Sequence, residues 1–284
     1  MAGAGGMLGH ALQRALTVRG ACFVAPGERD FDITDSDVVR RRVKEFAATL
    51  ASGQTGALLN AAAYTNVEQA EDEPEIACRV NEEGPRILAQ AARDAGLAFV
   101  HVSTDFVFDG TKRGAYTESD QPNPLSVYGA SKLAGEAAVM DADPDALVVR
   151  TAWAFGEHGV SFPAKIINAA RMRPTISVVT DEIGSPTYTA DLAAGILSLL
   201  DAGATGLFHL AGSGSCNRFD LARETLDLAG LGSVELEPVT SDCFPSKAAR
   251  PMNSVLDCSK AAALGVVMPD WRDALARFIA VRGL

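Results

Sequence analysis

The sequence predicts an α/β fold in which a doubly wound parallel sheet is joined to a smaller, interleaved C-terminal lobe. Helical and strand patterns alternate through the first half of the chain, which is typical of parallel sheets covered on both faces. A glycine-rich segment opens directly into the first helical pattern, and after Trp153 the alternation becomes irregular. The 284 residues suffice for one large domain or two closely joined ones.

The elements follow from the spacing of apolar residues, taken in chain order. Helical spacing and chain-breaking residues predict helices at 7–19, 35–50, 74–95, 124–140, 162–172 and 191–200. Short apolar runs predict strands at 21–25, 57–60, 97–102, 146–150, 176–179 and 207–210. Asp35 or Thr34 is the expected N-cap of the second helix, and 241–252 is expected to be an ordered binding loop. The predicted division is a first domain over 1–151 with returning segments at about 186–211, and a second lobe mainly from 152–185 and 212–284.

Composition and charge exclude several classes of protein. The formal net charge of -11 argues against non-specific binding of nucleic acid, which requires a basic surface. No apolar run approaches the roughly 18 residues of a membrane-spanning helix, and the first residues lack the basic start of a signal peptide. Five widely spaced cysteines predict neither a disulfide framework nor a zinc site, so we expect a cytoplasmic protein. Cys22 and Cys78 are expected to be buried.

The glycine-rich segment Gly3-Ala-Gly5-Gly6-Met7-Leu8-Gly9 predicts a dinucleotide site. Glycines let the backbone approach a pyrophosphate closely, and the N-terminus of the following helix favours its negative charge. A flexible tail is the alternative, but the amphipathic helix that follows favours binding. Such a loop should follow a strand of about five residues. Only Met1 and Ala2 precede it, so either the chain start is misassigned or truncated, which we favour, or the first strand is genuinely absent. This exact polypeptide is expected to have low stability and weak cofactor affinity.

A tyrosine and a lysine four residues apart predict the reacting groups. Tyr128 and Lys132 would share one face of a helix. A nearby ammonium lowers the pKa of a phenol, and the pair can then donate a proton to a carbonyl oxygen. Ser103-Thr104-Asp105 follows an apolar run, and active-site groups of open α/β sheets lie at the carboxyl ends of strands. Thr104 offers a hydroxyl to the same oxygen, so the pattern indicates ketone reduction.

Taken together, these motifs resemble the dTDP-4-dehydrorhamnose reductase family of extended short-chain dehydrogenases, over nearly the whole chain. Ser103-Thr-Asp-Phe-Val-Phe-Asp-Gly110 follows the family pattern S-T-D-Y-V-F-x-G, and Tyr128-Gly-x-x-Lys132-x-x-Gly-Glu136 matches the catalytic helix. Further matching segments are Asp32-Ile-Thr-Asp35, Asn60-Ala-Ala-Ala-Tyr-Thr65, Ala70-Glu-Asp-Glu-Pro74, Arg150-Thr-x-Trp153, Asp181-x-x-Gly184-x-Pro186-Thr187 and Arg250-Pro-x-Asn253-Ser254-x-Leu256-Asp257.

The resemblance implies a Rossmann-like domain, a sugar-nucleotide lobe, and reduction of the C4 ketone of dTDP-4-dehydro-L-rhamnose. Tyr128 would be the proton donor, Lys132 would bind the nicotinamide ribose and tune Tyr128, and Thr104 would polarise the ketone. The implied cofactor contacts are Gly3, Gly5, Gly6, Met7, Leu8, Gly9, Asp32, Ile33, Ala61, Ala62, Ala63, Tyr64, Ser103, Tyr128 and Lys132. The implied substrate contacts are Thr104, Asp105, Phe106, Val107, Trp153, Arg250 and Asn253.

Cofactor and partners are constrained less tightly. The segment 26–32 contains both acidic residues, which suit a ribose hydroxyl, and an arginine, which suits a 2′-phosphate, so we expect NADPH with either cofactor usable. Phe106 replaces a tyrosine frequent in the family, and Ser161 stands where Asn is common. Some relatives dimerise through a glutamate-bound metal, but the corresponding positions here include Ala11 and Ala190, so no metal and a monomer or weak homodimer are expected.

Alternatives remain open at this stage. The chain could reduce another dTDP-deoxysugar, or it could be a non-catalytic binding protein like the regulatory subunit of methionine adenosyltransferase. Trp153 could stack on a sugar or belong to the core, and Asp105 could contact substrate or cap a turn. Arg250 could bind pyrophosphate or be a solvated loop charge. The four histidines show no metal-ligand spacing and are expected to be structural.

Overall fold

The computed structural model describes residues 1–283, within which the main sheet has four parallel strands in the order β1-β2-β3-β8. The strands are β1 Ala57–Asn60, β2 Ala98–Thr104, β3 Leu147–Thr151, β4 Ala154–Phe155, β5 Thr175–Val179, β6 Ile183–Gly184, β7 Thr187–Tyr188, β8 Gly206–His209, β9 Cys216–Asn217 and β10 Glu235–Val239. The helices are α1 Met7–Val18, α2 Ser36–Ala47, α3 Val67–Ala70, α4 Pro74–Cys78, α5 Gly84–Asp94, α6 Val127–Ala142, α7 Phe162–Ala170, α8 Thr189–Asp201, α9 Arg218–Leu228, α10 Ser259–Ala262 and α11 Trp271–Arg282. The predicted α/β class is confirmed.

The sheet register brings the ends of its strands to one edge. Asn60 pairs with His101, Thr104 with Thr151, and Arg150 with His209. Since all four strands are parallel, the segments that follow Asn60, Thr104 and Thr151 leave the sheet on the same side. That edge is where open α/β sheets bind their ligands.

Helices cover both faces of this sheet. One face buries a cluster that includes Val39, Leu88, Phe99 and Val148, under α2 and α5. On the other face, Leu12 of α1 and Ile196 of α8 lie in a cluster with Val100 and Val149. Burying both sides explains why the strands contain nearly continuous apolar runs instead of alternating ones.

The N-terminal edge of the sheet departs from the expectation for this fold. Ala2 forms a parallel bridge to Asn60, with its N–H 2.8 Å from Leu59 O, so one bridging residue stands beside β1. The predicted strand at 21–25 is wrong, because this segment forms no hydrogen-bonded ladder with another strand. The N-terminal amine of Met1 donates a hydrogen bond to Val24 O in this segment, at 2.7 Å. A parallel strand needs a partner over several residues, which Met1 and Ala2 do not provide.

The C-terminal half contains three short two-stranded pairs, β5 with β10, β4 with β7 and β6 with β9. Helices α9 and α11 and strand β10 had no counterpart among the sequence predictions. In the segment predicted to return to the first domain, β8 joins the main sheet and α8 packs against α1. The domain boundaries themselves stay a prediction.

Two sequence expectations about single residues have different outcomes. Asp35 is the N-cap of α2, as predicted, and its carboxylate accepts from the N–H groups of Asp37 and Val38. The expected burial of Cys22 and Cys78 is wrong, because both are exposed, whereas Cys216 is buried. Cys22 lies in the segment that lacks a strand partner, so no layer covers it. Within residues 1–283, no helix combines the length and apolar character needed to cross a bilayer.

Candidate active site

The glycine loop has the shape of a pyrophosphate cradle. Gly3 has φ +75°, and a Cβ there would lie 2.4 Å from Ala62 N, so the loop packs against the segment after β1. A Cβ on Gly9 would lie 2.1 Å from Gly3 O, which requires glycine where α1 meets the loop. Gly6 caps α1 without any side-chain bond to the first free N–H groups, and Gly5 and Gly6 are exposed. Uncapped N–H groups at an accessible helix N-terminus fit an anionic diphosphate.

The neighbouring segment 61–64 is held in place by two buried asparagines. Asn60 Oδ1 accepts from Ala62 N at 3.0 Å, and Asn81 Oδ1 accepts from Tyr64 N at 2.8 Å. Asn81 lies in a π-helical turn, Arg79–Glu83, and its amide also donates to Ser131 Oγ on α6. Asn81 was not among the predicted site residues. Its position in a π-turn, which often marks functional sites, is visible only in the structure.

The two predicted cofactor contacts just before α2, Asp32 and Ile33, have different surroundings. Asp32 is exposed, and its carboxylate accepts from the N–H and hydroxyl of Thr34. Ile33 is buried, and a Cβ at Gly84 would lie 2.7 Å from its side chain. The Ile33 side chain therefore belongs to the core, so that only its backbone is available to a ligand.

The end of β2 carries a hydroxyl and a buried carboxyl. Thr104 Oγ1 donates to Asp105 Oδ1 at 3.0 Å, and the same hydroxyl oxygen accepts from Phe106 N. Asp105 is 2% exposed, and its Oδ2 atom has no partner among the described residues. Burial raises the pKa of Asp105 to about 6, against the opposing effects of Ser254, Thr104 and Arg218. An unpaired buried oxygen is costly, and a sugar hydroxyl could satisfy it.

Helix α6 presents Tyr128 at this strand end. Ser126 caps the helix by accepting from Gly129 N, and a Cβ on Gly129 would lie 2.2 Å from Phe106 O. The helix is thus pressed against the turn that follows Thr104. The Tyr128 ring meets the Phe106 ring edge-on at 5.5 Å between centroids. Burial raises the pKa of Tyr128 to about 12; the Thr104 hydroxyl opposes this rise and the charge of Asp105 adds to it.

Lys132 lies on the same helix but faces the sheet. It is 2% exposed, and its Nζ atom lies 2.7 Å from Val102 O and 3.3 Å from His101 Nε2. No hydrogen bond joins it to Tyr128 within the described chain. Burial lowers the pKa of Lys132 to about 8, opposed by the charge of Glu136. The pKa of Tyr128 is thus raised in this arrangement because desolvation of the phenol dominates, and the tuning of Tyr128 by Lys132 stays a prediction.

A buried ion pair holds α6 against the sheet. Arg150 of β3 donates to both oxygens of Glu136, at 2.8 and 2.6 Å. The Ser103 hydroxyl donates to the same carboxylate, and its predicted contact with the cofactor stays a prediction. The three residues join β2, β3 and α6, which fixes the distance between Thr104 and Tyr128.

Trp153 has a strained backbone and a cationic neighbour that sequence reasoning missed. Its φ is +45°, in the left-handed region that bulky residues rarely adopt, and such strain clusters at functional sites. The Arg218 guanidinium carbon lies 3.4 Å from the Trp153 ring centroid, and Nε lies 3.3 Å from Glu182 Oε2. One face of the indole is thus covered by the guanidinium. Because α9 was not predicted, nothing in the sequence connected residue 218 to residue 153.

The remaining predicted substrate contacts have mixed surroundings. Val107 is fully buried in a cluster with Phe108, and its predicted contact with substrate stays a prediction. Both donor positions of the Asn253 amide are used, by Lys112 O and Gly114 O, because this residue ties two loops together. Arg250 is accessible and donates to Glu68 at 2.6 Å.

The metal-ligand types and the histidines, and the groove beside α1, bear on what else the site could hold. Within the described residues, no three His, Cys, Asp or Glu side chains group so that they could hold a metal ion, and the expected lack of a metal stays a prediction. His101 and His209 are buried, and His10 stacks on His158. Ala11 and Ala190 line a groove of about 580 Å³ between α1, α8 and α11.

Several known proteins are similar to this chain in sequence or in fold. A dTDP-4-dehydrorhamnose reductase from Mycolicibacterium smegmatis (strain ATCC 700084 / mc(2)155) is 43% identical, over 98% of this chain and 84% of the relative. A dTDP-4-keto-6-deoxy-D-glucose reductase from Streptomyces niveus is 41% identical, over 89% of this chain and 86% of the relative. The crystal structure of dTDP-4-dehydrorhamnose reductase from Bacillus anthracis str. Ames in complex with NADP has a TM-score of 0.93 and 35% identity, over 99% of this chain and 97% of that one.

The family model described as RmlD substrate binding domain matches residues 1–282. That match spans the glycine loop, the catalytic helix and the C-terminal lobe alike. Together with the relatives above, it shows that this chain belongs to the dTDP-4-dehydrorhamnose reductase family, the family of the RmlD substrate binding domain.

Proposed function

We propose that this protein uses NADPH to reduce the C4 ketone of dTDP-4-dehydro-L-rhamnose, giving dTDP-L-rhamnose. The observation that carries the proposal is that α6 holds Tyr128 against the turn that follows Thr104, at the end of β2 and on the sheet edge where the glycine loop lies. The relatives named for this reaction, and the NADP complex of one of them, support the same substrate and cofactor.

The chemistry divides between cofactor and protein. NADPH, when bound, supplies the hydride that adds to C4 of the sugar. The ketone oxygen gains negative charge, and hydroxyl donors from Tyr128 and Thr104 would stabilise it. Because burial raises the pKa of Tyr128 to about 12, the phenol is protonated at neutral pH and can give its proton to this oxygen. The products are the alcohol, the oxidised cofactor and a phenolate that regains its proton from solvent.

Each part of the fold would hold one end of the reaction. The glycine loop and segment 61–64 would hold the diphosphate of the cofactor, since Gly3, Gly9 and the free N-terminus of α1 leave room and donors for it. The segments 152–185 and 212–284 would form the substrate lobe, with Asp105 and Trp153 toward the sugar and Arg250 toward the nucleotide diphosphate. We place the protein in the cytoplasm, where sugar nucleotides are made, as a monomer or weak homodimer.

A direct assay tests the reaction. The dTDP-4-dehydrorhamnose substrate is generated enzymatically, and the loss of NADPH absorbance is followed with the wild-type chain and with Tyr128→Phe. We expect Tyr128→Phe to reduce turnover by about 10²–10⁴-fold, because the proton donor is removed. Tyr188→Phe is the matched control, since that phenol bonds to Glu157 in the groove beside α1. Equal turnover in Tyr128→Phe and wild type would exclude Tyr128 as the acid.

A second substrate belongs in the same assay. The relative from Streptomyces niveus is a dTDP-4-keto-6-deoxy-D-glucose reductase, and its sequence is nearly as similar to this chain as that of the dTDP-4-dehydrorhamnose reductase from Mycolicibacterium smegmatis. Faster turnover of that isomer would assign the chain to the other sugar. Binding of NADPH without turnover of either sugar would favour a non-catalytic role.

A further inference from the structure

His101 and Asn60 form a buried chain that ends at the catalytic lysine. The two residues are register partners on β1 and β2, and Asn60 Nδ2 lies 3.0 Å from His101 Nδ1. The other ring nitrogen, Nε2, lies 3.3 Å from Lys132 Nζ. His101 is 0% exposed and Asn60 is 1% exposed, so no solvent competes for these contacts.

The orientation of Asn60 fixes the tautomer of His101. The backbone N–H of Ala62 donates to Asn60 Oδ1 at 3.0 Å, which leaves the amide NH₂ facing the imidazole. An NH₂ group can only donate, so His101 Nδ1 must accept. Burial, and next the charge of Lys132, hold the pKa of His101 well below its usual value, so the ring is neutral. A neutral imidazole that accepts at Nδ1 carries its proton at Nε2.

The proton on Nε2 therefore points at the amine of Lys132. A neutral amine can accept this proton in a hydrogen bond, whereas an ammonium would place hydrogen against hydrogen. The carboxylate of Glu136 lies one turn further along α6, and its charge favours the ammonium form of Lys132. The same carboxylate is held by Arg150. Tyr128, on the same face of α6, contributes a neutral phenol.

We propose that His101, with its tautomer fixed by Asn60, is a positioning residue that holds the Lys132 amine against β2 and limits how strongly that amine is charged. The proposal rests on the proposed function, because it adds a control on Lys132, which in that function would bind the nicotinamide ribose of NADPH. It assigns a role to two residues outside the groups expected to touch cofactor or substrate. Wild-type activity should then decline above about pH 8, where Lys132 loses its proton.

An isosteric variant reverses the tautomer. In Asn60→Asp, one carboxylate oxygen still accepts from Ala62 N, and the other accepts from His101, which moves the imidazole proton to Nδ1. Nε2 then offers a lone pair to the ammonium of Lys132, and the new carboxylate adds favourable charge. We expect the pH at which kcat falls on the alkaline side of its pH profile, the alkaline limb, to rise by about one pH unit. In His101→Gln, the amide oxygen can turn toward the ammonium of Lys132, so the alkaline limb should move in the same direction. This second variant keeps the test possible if Asn60→Asp does not fold.

A measurement without substrate separates this proposal from the reaction. In the whole chain labelled with ¹⁵N-histidine, ring nitrogen shifts distinguish the two tautomers, and His101→Gln identifies the signal. We expect wild-type His101 to be the neutral Nε2–H form at pH 7, to respond near pH 8, and to lose that response in Lys132→Met. Asn60→Asp should show the Nδ1–H form.

The outcomes decide the proposal in either direction. An Nδ1–H tautomer in the wild type, or an unchanged alkaline limb in folded Asn60→Asp and His101→Gln, would overturn it. The control is Thr225→Val, which removes another buried polar group, on α9, and should leave the limb in place. Absence of turnover together with the expected histidine spectra would reject the proposed reaction while the control of Lys132 by His101 stands.

Discussion

The guanidinium of Arg218 lies 3.4 Å from the ring centroid of Trp153, whose backbone has a φ of +45°. The cation contributes to holding a strained residue in one orientation, and a buried cation–π contact is worth about 2 kcal/mol. Glu182 fixes the guanidinium from the other side through Nε. Because Trp153 follows β3 at the candidate site, its orientation would shape the entrance for the sugar of the proposed substrate.

Replacing Arg218 by Gln should therefore weaken substrate use. We expect KM for the dTDP sugar to rise on the order of tenfold, with a smaller change in kcat, because Trp153 is no longer held in place. The matched control is Arg272→Gln, since Arg272 lies 4.3 Å from the ring of Trp271 in an exposed position. An equal loss in both variants, or none in Arg218→Gln, would contradict the positioning role.

Local patterns predicted the parts of the site that lie on one element. The glycine loop, the hydroxyl of Thr104 and the Tyr128 helix each follow from a short segment whose spacing reflects its own geometry. Arg218 could not be found in this way, since its meeting with Trp153 depends on how α9 packs against a loop 65 positions earlier in the sequence. The prediction of a strand at 21–25 was wrong for a related reason, because a strand forms only beside a neighbouring strand and not from residue propensity alone.

Asp105 should cost folding stability at neutral pH. A carboxyl whose pKa is higher in the folded chain than in the unfolded one binds more protons when folded, so stability falls as pH rises between the two values. For Asp105 these are about 3.8 and about 6, which corresponds to roughly 3 kcal/mol lost above pH 6. Asp105→Asn should raise the melting temperature at pH 7.5 and have little effect at pH 3.5.

The same variant should lower activity, because its one amide oxygen would be used by Thr104 and its NH₂ group cannot accept a hydrogen bond from a sugar hydroxyl. Melting curves at the two pH values and kcat/KM at pH 7.5 check both halves of this prediction. A variant that is destabilised at pH 7.5 would show that the unpaired Oδ2 atom already has a favourable partner in solution. Unchanged kcat/KM would remove Asp105 from the substrate site.

Glu136 should be among the most costly side chains to neutralise. Glu136→Gln leaves Arg150 buried and charged, with one of its nitrogens already lacking a partner. Breaking one side of such a pair typically costs about 3–5 kcal/mol. Urea unfolding should show this loss, whereas Glu45→Gln, which breaks the exposed pair with Arg42, should change the free energy of unfolding by less than about 0.5 kcal/mol. Similar effects in the two variants would mean that water reaches Arg150.

Arg250 and Glu68 should have opposite effects on substrate affinity. The Glu68 carboxylate bonds to the Arg250 guanidinium at 2.6 Å and to Lys247 N at 2.8 Å, joining the loop over 241–252 to α3. Burial opposes ionisation, but the Lys247 N–H and the Arg250 charge hold the pKa of Glu68 below its usual value. A substrate diphosphate that binds Arg250 must compete with this carboxylate.

Removing the competitor should then strengthen binding of the nucleotide. We expect Glu68→Gln to lower KM for the dTDP sugar several-fold, and Arg250→Ala to raise it by about 10–100-fold, since a charge-assisted bond is worth about 1.5–3 kcal/mol. Asp72→Asn, which breaks the neighbouring exposed pair with Lys247, should leave KM within about twofold. Titration of dTDP alone separates affinity from chemistry. A higher KM in Glu68→Gln would show that the ion pair shapes the loop for substrate instead of competing with it.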